Sequence, residues 1–135
     1  MTSNKIFLDS NIILYLFDLD QDKISISQNL IAQNPIINSQ ILVKVGNVCK
    51  RKFGFTKSQV CELWRDLIND CVCEQINEFT MHEAIRLINK YDFQLFDAII
   101  VAGALNAGCD ILFSEDMQHN LLVENRLKIM NPFLK

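Results

Sequence analysis

Apolar residues in this chain of 135 residues gather into short extended runs and longer helical stretches. The most apolar stretch covers residues 98–107, and because it is apolar on almost every side, it predicts a buried helix. Gly108 can adopt a positive φ and therefore favours an end to that helix. The run Ile111–Phe113 that follows is typical of a central parallel strand. Two carboxylates flank this unit, since Asp97 stands where the helix begins and Asp116 follows the strand.

The rest of the chain repeats this alternation of strands and helices. The pattern predicts strands at 5–8, 36–37, 72–76 and 127–130, the last at an edge of the sheet. It predicts helices at 11–17, 22–33, 39–53 and 56–69 and another opening at residue 80, with N-caps at Ser10, Ser39, Thr56 and Thr80. Such elements form right-handed βαβ units. We therefore expect one α/β domain over residues 1–135, with a parallel sheet of about four to five strands.

Composition narrows the class of protein. Half of the residues are apolar, but no run approaches the roughly 18 apolar residues of a membrane span. The N-terminal segment leads directly into a strand pattern, so a secretory signal peptide is not expected. Five cysteines form no CxxC pair, which favours free thiols in a reducing cytoplasm and argues against a zinc site. Because the net charge is −3, binding to nucleic acid requires a local basic patch or a metal ion.

Three aspartates are candidates for one acidic site. Ligands of open α/β sheets bind beyond the carboxyl ends of the strands, and Asp9, Asp97 and Asp116 are all expected at that edge. Asp97 also has a simpler explanation, because aspartate commonly caps helix N-termini. Clustered carboxylates raise one another's pKa unless a cation neutralises them. Such hard oxygen ligands suit Mg²⁺ or Mn²⁺, which promote phosphodiester hydrolysis.

Four segments carry a family resemblance in their order and spacing: FLDSNIILYLF, SQILVKVGNV, FDAIIVAGALNAGCDILFSEDMQHN and MNPF. They resemble the signature of the PIN-domain family, and within it the VapC-like ribonuclease toxins of type II toxin–antitoxin pairs. The resemblance implies a three-layer α/β/α fold and a Mg²⁺- or Mn²⁺-dependent endoribonuclease acting on tRNA or another structured RNA. It also implies a small antitoxin partner and a homodimer.

The resemblance assigns roles to individual residues. The family's first, third and fourth acidic positions fall on Asp9, Asp97 and Asp116, which would bind the metal. Asn11 and Ser114 match polar positions that support the site. Glu115 is a secondary candidate, because neighbouring side chains of an extended backbone point to opposite sides.

The second acidic position departs from the family pattern. In similar sequences the helix beginning near Ser39 reads QxLxE, whereas this chain has Lys44 in place of the glutamate. A protonated lysine cannot ligate a metal and adds positive charge where a cation should bind. Either Lys44 is a solvated helix lysine, or its ammonium pairs with Asp97 or Asp9 and takes the metal's electrostatic place, because an unneutralised carboxylate cluster is costly.

Other features suggest binding surfaces. Basic residues near the turn at Gly54 are candidates for contacts with RNA phosphates, although such runs are commonly solvated faces: Lys50, Arg51, Lys52 and Lys57. The hairpin of helices 39–53 and 56–69 holds apolar residues beyond what one sheet face requires, and similar toxins bind the antitoxin there: Phe53, Phe55, Trp64 and Leu67. His82 and His119 are more readily explained as surface or helix-end residues than as catalytic bases.

Two functions stay open from the sequence. The first is a metal-dependent endoribonuclease toxin that Lys44 inactivates. The second is a non-catalytic binding module that keeps the fold and holds RNA or an antitoxin. A phosphatase with Asp9 as nucleophile is discounted, because Asn11 stands where that chemistry uses a second aspartate.

Overall fold

A computed structural model describes residues 4–134 of the chain. Its strands and helices alternate as the hydrophobic pattern predicts. In chain order they are β1 (Ile6–Leu8), α1 (Ser10–Leu14), a 3₁₀ helix (Tyr15–Phe17), α2 (Gln21–Ile31), β2 (Ile36–Asn38), α3 (Ser39–Phe53), α4 (Lys57–Asp70), β3 (Val72–Glu74), α5 (Glu78–Tyr91), α6 (Leu95–Asn106), β4 (Ile111–Phe113), β5 (Leu122–Val123) and β6 (Leu127–Met130).

The strands form a single sheet in the order β3-β2-β1-β4-β6-β5. All neighbouring pairs are parallel except β5 with β6, and helices flank the sheet, so the expected α/β/α architecture is confirmed. The expected number of strands was wrong, because the sheet has six. The additional strand is β5, which Glu124 and Asn125 connect to β6 in a turn with positive φ at both residues. Since β5 occupies the edge, β6 is an internal strand and not the predicted edge strand.

Three predicted helix caps were wrong by one to three positions. The side chains of Asp9, Asn38 and Asn77 accept hydrogen bonds from backbone N–H groups of α1, α3 and α5, so Ser10, Ser39 and Thr80 lie inside these helices. Thr80 is the third residue of α5 and completes a capping box with Asn77. Aspartate and asparagine cap as well as serine, and Asp9, Asn38 and Asn77 have the extended backbone that a cap requires. The Thr56 cap of α4 is confirmed.

Helix α6 is buried on nearly all sides, as its uniform apolar character predicts. Residues from Ala98 to Leu105 are almost completely inaccessible, apart from the partly exposed Ile99. The bare backbone of Gly103 approaches β1 and β2, since a Cβ there would lie 3.4 Å from Asn38 Nδ2 and 3.7 Å from the Phe7 ring. This packing fixes the first turn of α6, which carries Asp97, relative to the strand ends.

The helices α3 and α4 pack directly against each other, so the hairpin leaves less apolar surface free than the sequence predicts. Leu67 is only 2% exposed, so it belongs to the core and not to a free surface. Trp64 is half-buried, donates its Nε1–H to the carbonyl of Leu42 at 2.7 Å and lies where a side chain on Gly46 would collide with it. An open groove of about 560 Å³ instead runs beside the hairpin, between α4, α2 and the 3₁₀ helix, with Leu16, Phe17, Ile31 and Leu63 among its lining residues.

The structure tests two predictions from composition, which are free cysteine thiols and the lack of a membrane span. All five cysteines are free thiols in the described part of the chain, and Cys71 is buried whereas Cys73 is exposed. Across residues 4–134, no helix is both long and apolar enough to cross a membrane.

Candidate active site

Asp9 lies at the carboxyl end of β1 and is only 3% exposed. Its Oδ1 accepts the N–H of Ser10 at 2.7 Å, and its Oδ2 accepts the hydroxyl of Ser114 at 2.8 Å. Ser114 itself is buried immediately after β4, the parallel neighbour of β1. The pairing of these two strands therefore brings together two side chains that are 105 positions apart in sequence.

Asp116 is attached to α1 through Asn11. The Asn11 amide donates to Asp116 Oδ2 at 3.1 Å, and its carbonyl oxygen accepts the N–H of Glu115 at 3.2 Å. The Ser114 hydroxyl oxygen accepts the N–H of Asp116 at 3.3 Å. Asn11 and Ser114 thus position the two aspartates, which is the placement expected of supporting residues.

Asp97 lies in the first turn of α6 but does not cap it. The N-cap position belongs to Gln94, and no side chain makes a capping hydrogen bond there. The explanation of Asp97 as a helix cap is therefore wrong, and its carboxylate is free to serve the acidic site.

The three aspartates influence one another electrostatically. Burial raises the pKa of Asp9; hydrogen bonds from Ser114 and Ser10 and the charge of Lys44 oppose this, and the charge of Asp116 reinforces it. Burial also raises the pKa of Asp97. The charge of Asp9 raises it further, whereas the charge of Lys44 lowers it. Asp9, Asp97 and Asp116 therefore lie close enough to affect one another's ionisation.

This arrangement does not by itself enclose a metal ion. Within residues 4–134, no group of three or more His, Cys, Asp and Glu side chains is close enough to hold one. Both oxygens of Asp9 already accept hydrogen bonds. The donors have the right chemistry for a hard cation, but the set lacks a fourth acid and does not fit a closed metal site.

Lys44 occupies the second turn of α3 and faces the acidic site. Its ammonium nitrogen lies 4.3 Å from the centroid of the Phe96 ring, where it makes a cation–π contact. The expected ion pair of Lys44 with Asp97 or Asp9 was wrong. Among the described residues, no contact within 4.0 Å joins Lys44 to either carboxylate. The positive charge of Lys44 nevertheless opposes the rise in the pKa of Asp9 and of Asp97.

The predicted basic cluster is divided in the structure. Arg51 lines a pocket with Lys44 and Phe96, whereas Lys52 lines a different one with Asn11, Tyr15 and Glu115. Lys50 and Lys57 are exposed and line neither pocket.

Tyr15 is a site residue that the sequence reasoning missed. Its hydroxyl contacts both carboxylate oxygens of Glu115, at 2.6 and 2.8 Å, and burial together with this hydrogen bond raises the pKa of Tyr15. Its position four residues after Asn11 could have indicated a shared face. His119 has a structural role, because its Nδ1 accepts the N–H of Asn131 at 2.9 Å, and His82 is exposed beside Glu78.

A family model described as the PIN domain matches residues 6–122, so this chain belongs to the PIN domain family. Its fold is similar to a toxin–antitoxin complex from Klebsiella pneumoniae, with 17% identity, 96% of this chain and 98% of that chain covered, and a TM-score of 0.72. It is also similar to VapC20 of Mycobacterium tuberculosis, described as a Sarcin-Ricin loop cleaving toxin (18% identity, 83% and 92% covered, TM-score 0.66). A third similar structure is VapBC2 from Rickettsia felis bound to a DNA fragment from their promoter (14%, 93% and 98%, 0.66). No curated protein matches the chain significantly.

Proposed function

We propose that this chain is the ribonuclease toxin of a toxin–antitoxin pair, acting on RNA in the cytoplasm, and that Lys44 weakens its metal site. The proposal is supported by the hydrogen bonds that join Asp9 to Ser114 and Asp116 to Ser114 and Asn11 at the carboxyl edge of the sheet, and by the electrostatic effect of Asp9 on Asp97. Membership of the PIN domain family supports it, as do the toxins among the similar structures.

With an acid at position 44, Asp9, Asp97 and Asp116 would hold Mg²⁺ or Mn²⁺. When bound, such an ion lowers the pKa of a water and stabilises charge on the phosphate. Ser114 and Ser10 orient Asp9, and Asn11 orients Asp116. Lys44 removes one acidic ligand and adds a positive charge near two others, so binding of the ion and cleavage of RNA are weak in this chain.

We also propose a second function, that of a non-catalytic binding module that holds RNA without cutting it. The positive charge of Lys44 near Asp9 and Asp97 supports it. The two functions predict different results for Lys44→Glu, which should restore RNA cleavage only if the chain is a nuclease.

An antitoxin is the proposed protein partner. The groove between α4, α2 and the 3₁₀ helix is open and largely apolar, and its volume of about 560 Å³ suits the side chains of a helical or extended segment. Complexes of this kind among the similar structures support the assignment. We also propose a homodimer, with exposed apolar residues such as Phe79 and Leu95, 61% and 74% accessible, available to an interface.

Cleavage of RNA by this chain and by its Lys44→Glu variant, each with Mn²⁺, tests the enzymatic proposal. The variant should cut much faster, and adding Asp97→Asn or EDTA should abolish the cutting. If Lys44→Glu stays inactive while it binds Mn²⁺, the non-catalytic function replaces the enzymatic one.

A further inference from the structure

A second pocket lies directly beside the acidic site, between α3 and the first turn of α6. It has a volume of about 300 Å³ and is lined by Gln40, Val43, Lys44, Asn47, Val48, Arg51 and Phe96. Lys44 lines this pocket and also lies near enough to Asp9 and Asp97 to affect their ionisation, so the pocket adjoins the acidic site. The lining residues include no acid, although the chain as a whole is acidic, with a net charge of −3.

The two cations of this pocket come from one face of one helix. Lys44 and Arg51 are seven positions apart, which corresponds to roughly 10 Å along α3. Neither makes an ion pair with an acid among the described residues. Their charges are therefore available to an anionic ligand, and Phe96 holds the Lys44 ammonium at the pocket wall.

Gln40 adds an acceptor that the protein leaves unused. Its Oε1 is buried from solvent and has no hydrogen-bond partner among residues 4–134, and a buried acceptor without a partner is costly. Because Gln40 lines the pocket, a rotation of its side chain that exposes this oxygen to an N–H group of a ligand relieves that cost. The pocket thus combines two anion-binding groups, an aromatic wall and a buried acceptor for a donor.

We infer that this pocket binds one nucleotide unit of single-stranded RNA next to the acidic site. Lys44 and Arg51 bind its phosphates, and Gln40 Oε1 accepts an N–H from the edge of its base. Cationic grooves with aromatic walls are the usual means of holding single strands. The inference rests on the proposed function for the identity of RNA as ligand, but it requires neither a metal ion nor cleavage.

Lys44 thereby contributes to RNA binding in this chain. At the position where the family resemblance implies an acid, Lys44 weakens binding of a metal ion and strengthens binding of the RNA backbone. Arg51, among the predicted basic residues, is the second cation that binds this nucleotide.

Fluorescence anisotropy with a labelled eight-nucleotide single-stranded RNA, in EDTA, tests the inference on the full chain. Lys44→Gln and Arg51→Gln should each weaken binding roughly tenfold. Each should also make the slope of log affinity against log salt shallower by about 0.7, the value for one phosphate of a single strand. Lys128→Gln removes the same charge from an exposed position of β6 outside the pocket and should change the affinity less than about twofold. Thermal melting confirms that each variant is folded.

The hydrogen bond to the base has its own measurement. Gln40→Met should weaken RNA binding while leaving competition by inorganic tripolyphosphate unchanged, because that competitor presents no base. Equal losses for Lys44→Gln and Lys128→Gln would overturn the inference, since binding would then depend on total charge. If RNA binding depends on the pocket but Lys44→Glu does not cleave RNA, the inference stands and the enzymatic proposal fails. If Lys44→Glu cleaves RNA but the pocket substitutions do not weaken RNA binding, the inference alone is rejected.

Discussion

The Lys44 ammonium lies 4.3 Å from the centroid of the Phe96 ring, one residue before Asp97. This contact holds a positive charge beside the acidic site without an ion pair to Asp9 or Asp97. The charge is close enough to oppose the rise in the pKa of both carboxylates. Lys44 therefore places a positive charge near Asp9 and Asp97 without forming an ion pair with either carboxylate.

The first prediction concerns the affinity for a divalent metal ion. Lys44→Glu should tighten Mn²⁺ binding by at least about tenfold, because it removes a repulsive charge and adds a ligand. Isothermal titration calorimetry measures this directly. Lys50→Glu makes the same charge change on the exposed side of α3 and should have a much smaller effect. Equal Mn²⁺ affinities for the wild-type chain and Lys44→Glu would contradict the role given to Lys44.

The second prediction concerns the hydroxyl of Ser114. This buried group donates to Asp9 Oδ2 and accepts from the N–H of Asp116, so Ser114→Ala leaves a buried carboxylate with fewer partners. We expect a loss of about 1–3 kcal/mol in the free energy of unfolding, measured by urea denaturation. Ser58→Ala, on an exposed position of α4, is the control and should be nearly neutral.

Sequence patterns predicted most of this fold because its signals are local. The uniform apolar character of α6 and the Thr56 cap depend on residues within one element. The strand β5 could not be predicted, because two residues at 122 and 123 form a strand only through pairing with β6. The approach of Gly46 to the Trp64 ring is similarly a property of two packed helices, since a Cβ would come within 2.8 Å of that ring.

The acidic site was likewise only partly predictable from the sequence. The order of the strands, together with the family resemblance, indicated that Asp9, Asp97 and Asp116 would converge. The predicted partner of Lys44 was wrong because the choice between a carboxylate and the Phe96 ring depends on side-chain geometry across two helices. The Tyr15–Glu115 hydrogen bond was missed for the same reason, since it joins residues 100 positions apart.

The third prediction concerns the pH dependence of stability. Hydrogen bonds from Lys90, Tyr91 and Arg86 lower the pKa of Glu124 from 4.5 to about 2. Because the folded-state pKa is depressed, the stabilisation is fully present above the unfolded value of 4.5 and is lost as the pH falls toward about 2. Glu124→Gln should therefore lower the urea midpoint at neutral pH, and its difference from wild type should shrink through that acidic window.

A control separates this cluster from general effects of charge. Glu62→Gln removes a carboxylate from an exposed position of α4 and should leave the pH profile close to that of the wild type. A Glu124→Gln difference that stays constant from neutral pH to acid would show that packing, and not the ionised carboxylate, accounts for the loss of stability.

The last prediction concerns the apolar groove proposed for the antitoxin. Trp64→Ala cannot test it cleanly, because Trp64 bonds to Leu42 and packs within the hairpin, so that change should destabilise the fold. Leu63 lines the groove and is only half-buried. Leu63→Asp places a carboxylate among apolar contacts and should weaken binding of the cognate antitoxin by about tenfold or more. Ile68→Asp is the matched control, since Ile68 is 54% exposed on the same helix and does not line the groove. Equal weakening by the two substitutions in a pull-down titration would place the antitoxin elsewhere, whereas a loss confined to Leu63→Asp identifies the groove as its binding surface.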